Sequence, residues 1–491
     1  SLTLTANRSI TLGSGVNITS SSGTLNVTLN ASQTSGIANG TVSLTNTTIN
    51  TNGGALVVNA GNSATTVTAL SFAGNNTLNV GAGTGTFTTT TSGGTGISFS
   101  NGSVLTTSGN VSLTGTSSNV GSYGLSLNNA NVTLNATSGT GISISSTNMT
   151  TNGNVSFVGT SNTGAYAFSL NNANVNLNAI SGNLSIAGVG TSGTGLGMSN
   201  TTLTTSGNVS LAGTSTSSVG VLMSSNTSLN ATSGSLSMAG VSGSSTGLSV
   251  SSNYFNVTGN VSLRGNSTSG SGISIGSTNM TTNGNVSLVG TSINTGSYGL
   301  SLNNANLNLN VISGNLSFTG VDTSGTGLGM SNTTFTTNGN VSLTGTSTSS
   351  YGLYMNNNAS LNATSGSLSL TGVSGSSAGL TVSSTYFNVT GNVALTGNST
   401  SGLGISIGGA NVTTNGNVSL AGNSSSNNGL LLNNNASFNA VGGSLNLTGI
   451  STGNASAFVW GANSNLVASN GTTVNVTGAA NTLGGATNSI N

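Results

Sequence analysis

The chain has 491 residues and almost no charge: its only ionisable acidic or basic side chains are Arg8, Arg264 and Asp322, and Lys, Glu, His, Cys and Pro are all missing. Acid–base catalysis, base-assisted nucleophilic catalysis, transition-metal sites and calcium sites require residue types that are absent or nearly so, and nucleic-acid binding requires clustered Lys and Arg. We therefore expect a protein that is not an enzyme and has no cofactor, no metal and no nucleic-acid partner.

The regularity of the pattern divides the chain into three segments. Residues 1–103 contain predicted strands, such as 25–29, at uneven spacing. Residues 104–450 carry a regular repeat, which fades in residues 451–491, where the only tryptophan, Trp460, is found. Gly, Ser, Asn and Thr are abundant, yet hydrophobic residues make up 33% of the chain and alternate with polar ones. This alternation favours β-strands over disorder.

Two short phrases build the repeat. Gly-Asn followed by a Val/Leu strand begins at Gly109, Gly153, Gly207, Gly259, Gly284, Gly339, Gly391 and Gly416. Gly-Leu-Ser-Leu, or a close variant, begins at Gly124, Gly195, Gly247, Gly272, Gly299, Gly327, Gly352, Gly379, Gly404 and Gly429. From Gly247 to Gly429 the second phrase returns at nearly constant intervals. The interval is about 25–28 residues, and a fixed period of this size is typical of a solenoid.

One turn of the repeat, read from Gly352, contains three strands: residues 352–355, a short strand centred on Leu361, and residues 367–372. The third strand carries an apolar pair at period 2, which places both side chains on one face. These pairs are Val209/Leu211, Leu236/Met238, Val261/Leu263, Val286/Leu288, Leu316/Phe318, Val341/Leu343, Leu368/Leu370, Val393/Leu395, Val418/Leu420 and Leu445/Leu447. We therefore predict an all-β fold, a parallel β-helix (β-solenoid) with three short strands and about 25–28 residues per coil.

The stacking of coils has consequences for length and for corners. At about 4.8 Å per coil, roughly 18 coils would form a rod of about 90 Å. Corner positions are rich in Asn and Gly, such as 356–358, because these residues tolerate left-handed backbone angles. We also expect corner asparagines to hydrogen-bond to the same residue one coil above.

A longer repeat overlies the coil repeat. Val209 matches Val341, and the segment 254–260 matches the segment 386–392, both at an offset of 132 positions. We interpret this offset as the duplication of a block of about five coils.

The N-terminal part resembles the repeat region of filamentous-haemagglutinin-like exoproteins, the high-molecular-weight adhesins exported by two-partner secretion. The phrases that carry the resemblance lie at residues 2–12, 18–25 and 48–54, and the repeats from 104 to 450 are similar in style. Family members carry an N-terminal secretion domain with Asn-Pro motifs. This chain has no Pro, so on this assignment that domain lies upstream.

The resemblance implies a right-handed parallel β-helix outside a Gram-negative cell, working as a cell-surface adhesin shaft. It implies two kinds of partner: an outer-membrane transporter during secretion, and a receptor or glycan on a host or neighbouring cell. Copies of the same chain, in filaments, are a further candidate partner under the alternative given next. The alternative is a purely structural role, as a self-assembling extracellular filament or matrix protein formed by stacked rods.

Asn-X-Ser/Thr sequons are the first candidate sites. They include Asn110, Asn154, Asn230, Asn260, Asn340 and Asn362. Such sequons accept N-linked sugars, and some adhesins of the resembling family are glycosylated at them. The competing interpretation, which we favour, is that corner asparagines are abundant for structural reasons.

Aromatic and charged residues are the remaining candidates. The aromatic pairs at residues 254–255 and 386–387 could bind sugar rings, but we favour aromatic packing at a corner. Asp322 replaces Gly190 of the earlier copy of the long repeat, and Arg264 is replaced by Thr396 in the later copy. We interpret both charges as variation on the surface.

Overall fold

The structure is a computed structural model. It describes residues 1–31, 40–61, 69–90, 97–99, 104–107, 110–116, 126–128, 131–137, 142–144, 148–151, 154–161, 165–170, 175–179, 182–251, 253–433, 435–477, 480–483 and 489–490. Two compact units are present, unit 1 (Ser1–Gly240) and unit 2 (Val241–Asn491). Throughout the described ranges the secondary structure is strand and turn; no helix occurs in them, and so none that could cross a membrane.

The strands of unit 1 are short. In chain order they are β1 (Leu2–Ala6), β2 (Ser9–Leu12), β3 (Asn17–Thr19), β4 (Val27–Ala31), β5 (Thr41–Thr45), β6 (Thr48–Asn50), β7 (Leu56–Gly61), β8 (Leu70–Ala73), β9 (Thr77–Gly81), β10 (Gly85–Thr90), β11 (Ile97–Phe99), β12 (Val104–Thr107), β13 (Asn110–Thr116), β14 (Ser126–Asn128), β15 (Asn131–Thr137), β16 (Ile142–Ile144), β17 (Asn148–Thr151), β18 (Val155–Ser161), β19 (Tyr166–Leu170), β20 (Val175–Ala179), β21 (Leu184–Gly190), β22 (Thr194–Ser199), β23 (Thr201–Thr205), β24 (Val209–Ser215), β25 (Val221–Ser224), β26 (Ser228–Ala231) and β27 (Leu236–Ser242), which ends just past the boundary.

Unit 2 continues with the same alternation of longer and shorter strands. They are β28 (Leu248–Ser251), β29 (Tyr254–Val257), β30 (Val261–Ser267), β31 (Ile273–Gly276), β32 (Asn279–Thr282), β33 (Val286–Ser292), β34 (Tyr298–Val311), β35 (Leu316–Asp322), β36 (Thr326–Thr337), β37 (Val341–Ser347), β38 (Leu353–Asn356), β39 (Ser360–Ala363), β40 (Leu368–Ser374), β41 (Leu380–Ser383), β42 (Tyr386–Val389), β43 (Val393–Ser399), β44 (Ile405–Gly408), β45 (Asn411–Thr414), β46 (Val418–Ser424), β47 (Leu430–Leu432), β48 (Ser437–Ala440), β49 (Leu445–Ser451), β50 (Ser456–Trp460), β51 (Asn465–Ala468), β52 (Thr472–Thr477), β53 (Ala480–Leu483) and β54 (Ser489–Ile490).

In unit 2 the strands pair in three parallel rows, so that each strand bonds to its equivalent in the next coil. The long row is β30-β33-β35-β37-β40-β43-β46-β49-β52. The first short row is β28-β31-β34-β36-β38-β41-β44-β47-β50-β53. The second short row is β29-β32-β34-β36-β39-β42-β45-β48-β51-β54. In β34 and β36 the two short strands of a coil run on as one.

Unit 1 is built from the same parallel pairing. Its long row is β1-β4-β7-β10-β13-β15-β18-β21-β24. Its short strands pair as β2-β5-β8-β11 and β3-β6-β9-β12-β14, followed by β16-β19-β22-β25 and β17-β20-β23-β26. The predicted β-solenoid with three strands per coil is therefore confirmed.

The core is a set of stacked apolar columns. Leu343 of β37 lies beside Leu370 of β40, which lies beside Leu395 of β43, and all three side chains are buried. Every member of the ten predicted inward pairs is buried in the same way. The period-2 pattern therefore identified the core correctly. Burial of each side chain of this size contributes roughly 1.5–3 kcal/mol to the stability of the fold.

Asparagines at the corners adopt the expected backbone. Asn357 and Asn358, between β38 and β39, have φ angles of 50° and 60°, in the left-handed region that asparagine tolerates better than most residues. This confirms the prediction made for the corner at 356–358.

Glycines of the long row are required for a different reason, which the sequence pattern did not reveal. Gly372 faces inward at the fifth position of β40, and a Cβ added there would lie 2.0 Å from the carbonyl oxygen of Gly379, at the start of the next strand. The same approach, at 2.0–2.2 Å, recurs along one column of paired positions: Gly290, Gly320, Gly345, Gly372, Gly397, Gly422 and Gly449. Here glycine is needed for space and not for a left-handed angle.

We expect Gly372→Ala to lower the free energy of unfolding by about 1–3 kcal/mol, because the methyl group overlaps backbone that cannot move freely. The matched control is Gly13→Ala, where an added Cβ meets nothing within 4 Å. Urea unfolding of the full chain, followed by circular dichroism, measures the difference in midpoint. Equal midpoints for the two variants would contradict the packing argument.

Candidate functional surface

The Gly-Asn phrase places a polar side chain just before each long strand, and these side chains form a ladder. The Oδ1 atom of Asn285 accepts a 2.8 Å hydrogen bond from the backbone N–H of Asn315, whose Oδ1 accepts a 2.7 Å bond from the N–H of Asn340 in the next coil. We call the residues linked in this way the asparagine ladder. It comprises Asn154, Asn183, Asn208 and Ser235 in unit 1, and Asn260, Asn285, Asn315, Asn340, Ser367, Asn392, Asn417 and Ser444 in unit 2.

The ladder confirms that corner asparagines bond from coil to coil, with one difference from the expectation. The donor is the backbone N–H, so Oδ1 is the atom that must face the neighbouring coil. Serine can take the same place: the hydroxyl oxygen of Ser367 accepts a 3.1 Å bond from the N–H of Asn392. Each rung therefore satisfies a backbone donor at a corner, where no strand partner would otherwise reach it.

Three of the six candidate sequons belong to this ladder. Asn154, Asn260 and Asn340 are exposed and use Oδ1 to hold the next coil, with bonds of 2.8 to 2.9 Å. An N-linked sugar is attached through Nδ2 and leaves Oδ1 in place, so these rungs are compatible with either state. Their structural role is directly visible, and their glycosylation stays a prediction.

The other three sequons lie elsewhere. Asn230 in β26 and Asn362 in β39 are half-buried residues of the short strands. The Oδ1 of Asn362 accepts a 3.3 Å hydrogen bond from the Nδ2 of Asn388 in the next coil. Asn110 begins β13, and its side chain lies outside the described part of the chain.

We expect Asn340→Ala to weaken the ladder by about 0.5–1.5 kcal/mol, the net contribution of one hydrogen bond, because the N–H of Ser367 loses its acceptor. The matched control is Asn340→Ser, which keeps an oxygen at a position where Ser367 already serves in the next coil. Amide hydrogen exchange at Ser367 should be accelerated in the alanine variant and much less so in the serine variant. Equal protection of this amide in the wild type and Asn340→Ala would contradict the assignment.

The two aromatic pairs split between core and surface. Phe255 and Phe387 are each 2% exposed, whereas Tyr254 and Tyr386 are each 58% exposed. Alternation along β29 and β42 sends the phenylalanine inward and the tyrosine outward. Our preferred interpretation, packing of the pair at a corner, is therefore wrong for the tyrosines and holds only for the burial of the phenylalanines.

Tyr386 stands over a shallow surface cleft of about 370 Å³ on the outer side of the second short row. Neighbouring outward side chains from β39, β42 and β45 line it, namely Ser360, Asn362, Tyr386, Asn388, Asn411 and Thr413. The inward residues Leu361 and Phe387 complete the lining, which contains none of the three charged residues of the chain.

Asp322, the only carboxylate side chain, is buried at the end of β35 with 1% of its surface exposed. Its Oδ1 accepts hydrogen bonds from the N–H groups of Ser324 at 2.9 Å and Gly325 at 2.7 Å. Its Oδ2 accepts the hydroxyl of Ser297 at 3.0 Å. The interpretation of Asp322 as surface variation is therefore wrong, whereas Arg264 does lie on the exposed face of β30.

The substitution of Asp322 tests this role. In the neighbouring coil the paired residue is Ser347, whose hydroxyl accepts the N–H of Ser350 at 2.9 Å. We expect Asp322→Ala to cost about 1–3 kcal/mol of unfolding free energy, because the buried N–H of Gly325 and the half-buried N–H of Ser324 lose their acceptor. Asp322→Ser should cost much less, because the serine hydroxyl replaces the acceptor. Thermal unfolding compares the three proteins, and the explanation fails if the alanine and serine variants unfold alike.

Comparison with models of known protein families gives no match for this chain, and comparison with curated proteins gives none either. The described residues contain no group of three or more His, Cys, Asp or Glu that could hold a metal ion. The exposed side chains of the described residues are mostly amides and hydroxyls, with a few aliphatic residues such as Val189 and Ile293 and the exposed rings of Tyr254 and Tyr386.

Proposed function

We propose that this chain is part of an adhesin shaft, secreted and displayed on the surface of a bacterial cell. The observation that carries the proposal is the coil-to-coil register. Within each unit the same sequence position recurs one coil later, as Ser342 does beside Ser369, so that each outer face presents columns of small polar side chains. Such a surface suits a shaft that contacts other surfaces along its side.

The near absence of charge supports an extracellular role. Salt screens charged interactions strongly, with a Debye length of about 8 Å at physiological ionic strength, and pH alters only ionisable groups. The chain has three charged side chains in 491 residues, and one of them, Asp322, is buried, so the surface is insensitive to both variables. Hydrogen bonds from amides and hydroxyls would hold the rungs together under the changing conditions outside a cell.

The resemblance to filamentous-haemagglutinin-like exoproteins gives the proposal its biological setting. On this proposal an outer-membrane transporter exports the chain, and a receptor or glycan on a host or neighbouring cell is the contact that the shaft makes. The repeats then supply length, and the duplication that relates Val209 to Val341 adds a block of coils without a new fold.

Self-assembly into an extracellular filament or matrix is the second candidate. The formal net charge is +1, so little electrostatic repulsion opposes the association of rods. Electron microscopy of the purified chain separates the two: isolated particles at all concentrations support the shaft, and long fibres that grow with concentration support the filament.

The adhesive function itself is tested with beads coated with the full chain and applied to cultured epithelial cells and to bacterial cells. We expect retention several-fold above beads coated with serum albumin, with little change when NaCl is raised from about 0.15 M to several times that value, because few charges are available to screen. Beads coated with heat-unfolded chain control for non-specific sticking. Retention no higher than that of the albumin beads on every cell type would overturn the adhesive function.

A further inference from the structure

We infer that the cleft at Tyr386 binds a neutral carbohydrate, with the tyrosine ring as the platform for one sugar ring. The inference names a ligand class for the proposed adhesive surface and takes its biological meaning from that proposal, although the binding itself can be measured without it. Three observations carry it: the exposure of the ring, the amides that surround it, and the recurrence of the arrangement in the chain.

The side chain of Tyr386 is largely exposed. Its neighbour Phe387 is anchored in the core, which fixes the strand beneath the tyrosine. In the adjacent coils the register partners of Tyr386 are Ser360 and Asn411, both of which are polar and smaller than tyrosine. An aromatic face exposed to this extent among polar side chains matches the apolar C–H face of a sugar ring.

Tyr354 shows what an engaged surface tyrosine looks like in this protein. Its ring lies 4.9 Å from that of Tyr351, and its hydroxyl accepts a 2.9 Å hydrogen bond from the Nδ2 of Asn356. Tyr354 is half-buried, whereas 58% of Tyr386 is exposed. The two tyrosines differ in neighbours, which makes Tyr354 the control for any general effect of removing a surface aromatic.

Amides and hydroxyls are placed around the ring at regular intervals. Adjacent coils are about 4.8 Å apart, and outward side chains two positions apart on a strand are about 6.6 Å apart. Asn388 donates to Asn362 at 3.3 Å, which orders both amides. An amide offers donors and acceptors together, as the hydroxyl groups of a sugar require. No charged side chain lines the cleft, so a neutral sugar fits it better than a sialylated or sulfated one.

The long repeat preserves the residue types of the lining. All eight lining residues, including the inward Leu361 and Phe387, have the same residue type in the earlier copy of the long repeat, at 228–230, 254–256, 279 and 281. Outward residues on the neighbouring strand differ between the copies, since Tyr354 and Asn356 correspond to Leu222 and Ser224. The residues that line the cleft were thus kept while residues beside it changed.

Both tyrosines lie in one column of unit 2. The register runs from Tyr254 through four polar residues to Tyr386, which lies five coils further on. At about 4.8 Å per coil the two rings are roughly 24 Å apart. A polysaccharide with a repeating structure could contact both platforms along the same face.

The test is saturation-transfer NMR on the full chain with lactose, maltose, cellobiose and sialyllactose at millimolar concentrations. We expect transfer to at least one of the neutral disaccharides and its loss, by at least fivefold, in the variant Tyr254→Ala/Tyr386→Ala. Tyr354→Ala should bind like the wild type, and Tyr254→Phe/Tyr386→Phe should keep most of the binding because the ring faces remain. Circular dichroism confirms that each variant is folded, as the exposure of both tyrosines predicts.

Three results would overturn the inference: no transfer to any neutral disaccharide, transfer that the double alanine variant leaves unchanged, or transfer to sialyllactose alone. The outcome is separate from that of the bead assay. Sugar binding without bead retention would support the cleft as a sugar-binding site and contradict the adhesive function. If beads coated with the double alanine variant are still retained and no sugar binding is detected, the adhesive function is supported and the cleft is not a sugar-binding site.

Discussion

The hydrogen-bonded register between coils is the constraint on which the rest of this structure depends. Because every strand pairs in parallel with its equivalent in the next coil, each residue lies about 4.8 Å from the residue at the same repeat position. A charged residue that was copied with the repeat would face its own charge in both adjacent coils, which is destabilising. Asn, Ser and Thr can stack on themselves and hydrogen-bond as they do so. The composition follows from the register, and the exceptions agree with it: Arg264 pairs with Val289, and Asp322 pairs with Ser292 and Ser347.

The sequence predicted those parts of the fold that depend on side-chain alternation. Apolar pairs such as Leu368 and Leu370 repeat at period 2 and at the coil period, and this double periodicity fixes both the strand and its inward face. This periodicity could not reveal the role of Gly372, because a glycine contributes nothing to a pattern of apolar side chains. The need for glycine arises only when the carbonyl of Gly379 is brought within 2.0 Å of the place where a Cβ would stand.

Individual residues are misjudged when the wrong copies of the repeat are compared. Gly190, the equivalent of Asp322 in the long repeat, suggests drift at this position. Ser292 and Ser347, its equivalents in the adjacent coils, instead show a polar residue that recurs at the end of the long strand. Likewise, aligning Phe387 with Leu361 in the preceding coil assigns the phenylalanine inward and its neighbouring tyrosine outward. In a solenoid the adjacent coil is the informative comparison, since it is the physical neighbour.

On the proposal that this chain is part of an adhesin, the same register explains how a weak binding site could serve it. A shallow, uncharged cleft with one aromatic platform offers few contacts to a single sugar ring, and its affinity for a free disaccharide is correspondingly low. Duplication of a five-coil block places a second tyrosine in the same column, at Tyr254, on the same row of strands. Once one platform holds a polysaccharide, the second meets the same chain at a high effective concentration, and the combined affinity can exceed that of either site by about 10²–10⁴. Because the spacing is set by backbone hydrogen bonds, the gain requires no flexible linker, and each further copy of the five-coil block would add another such site.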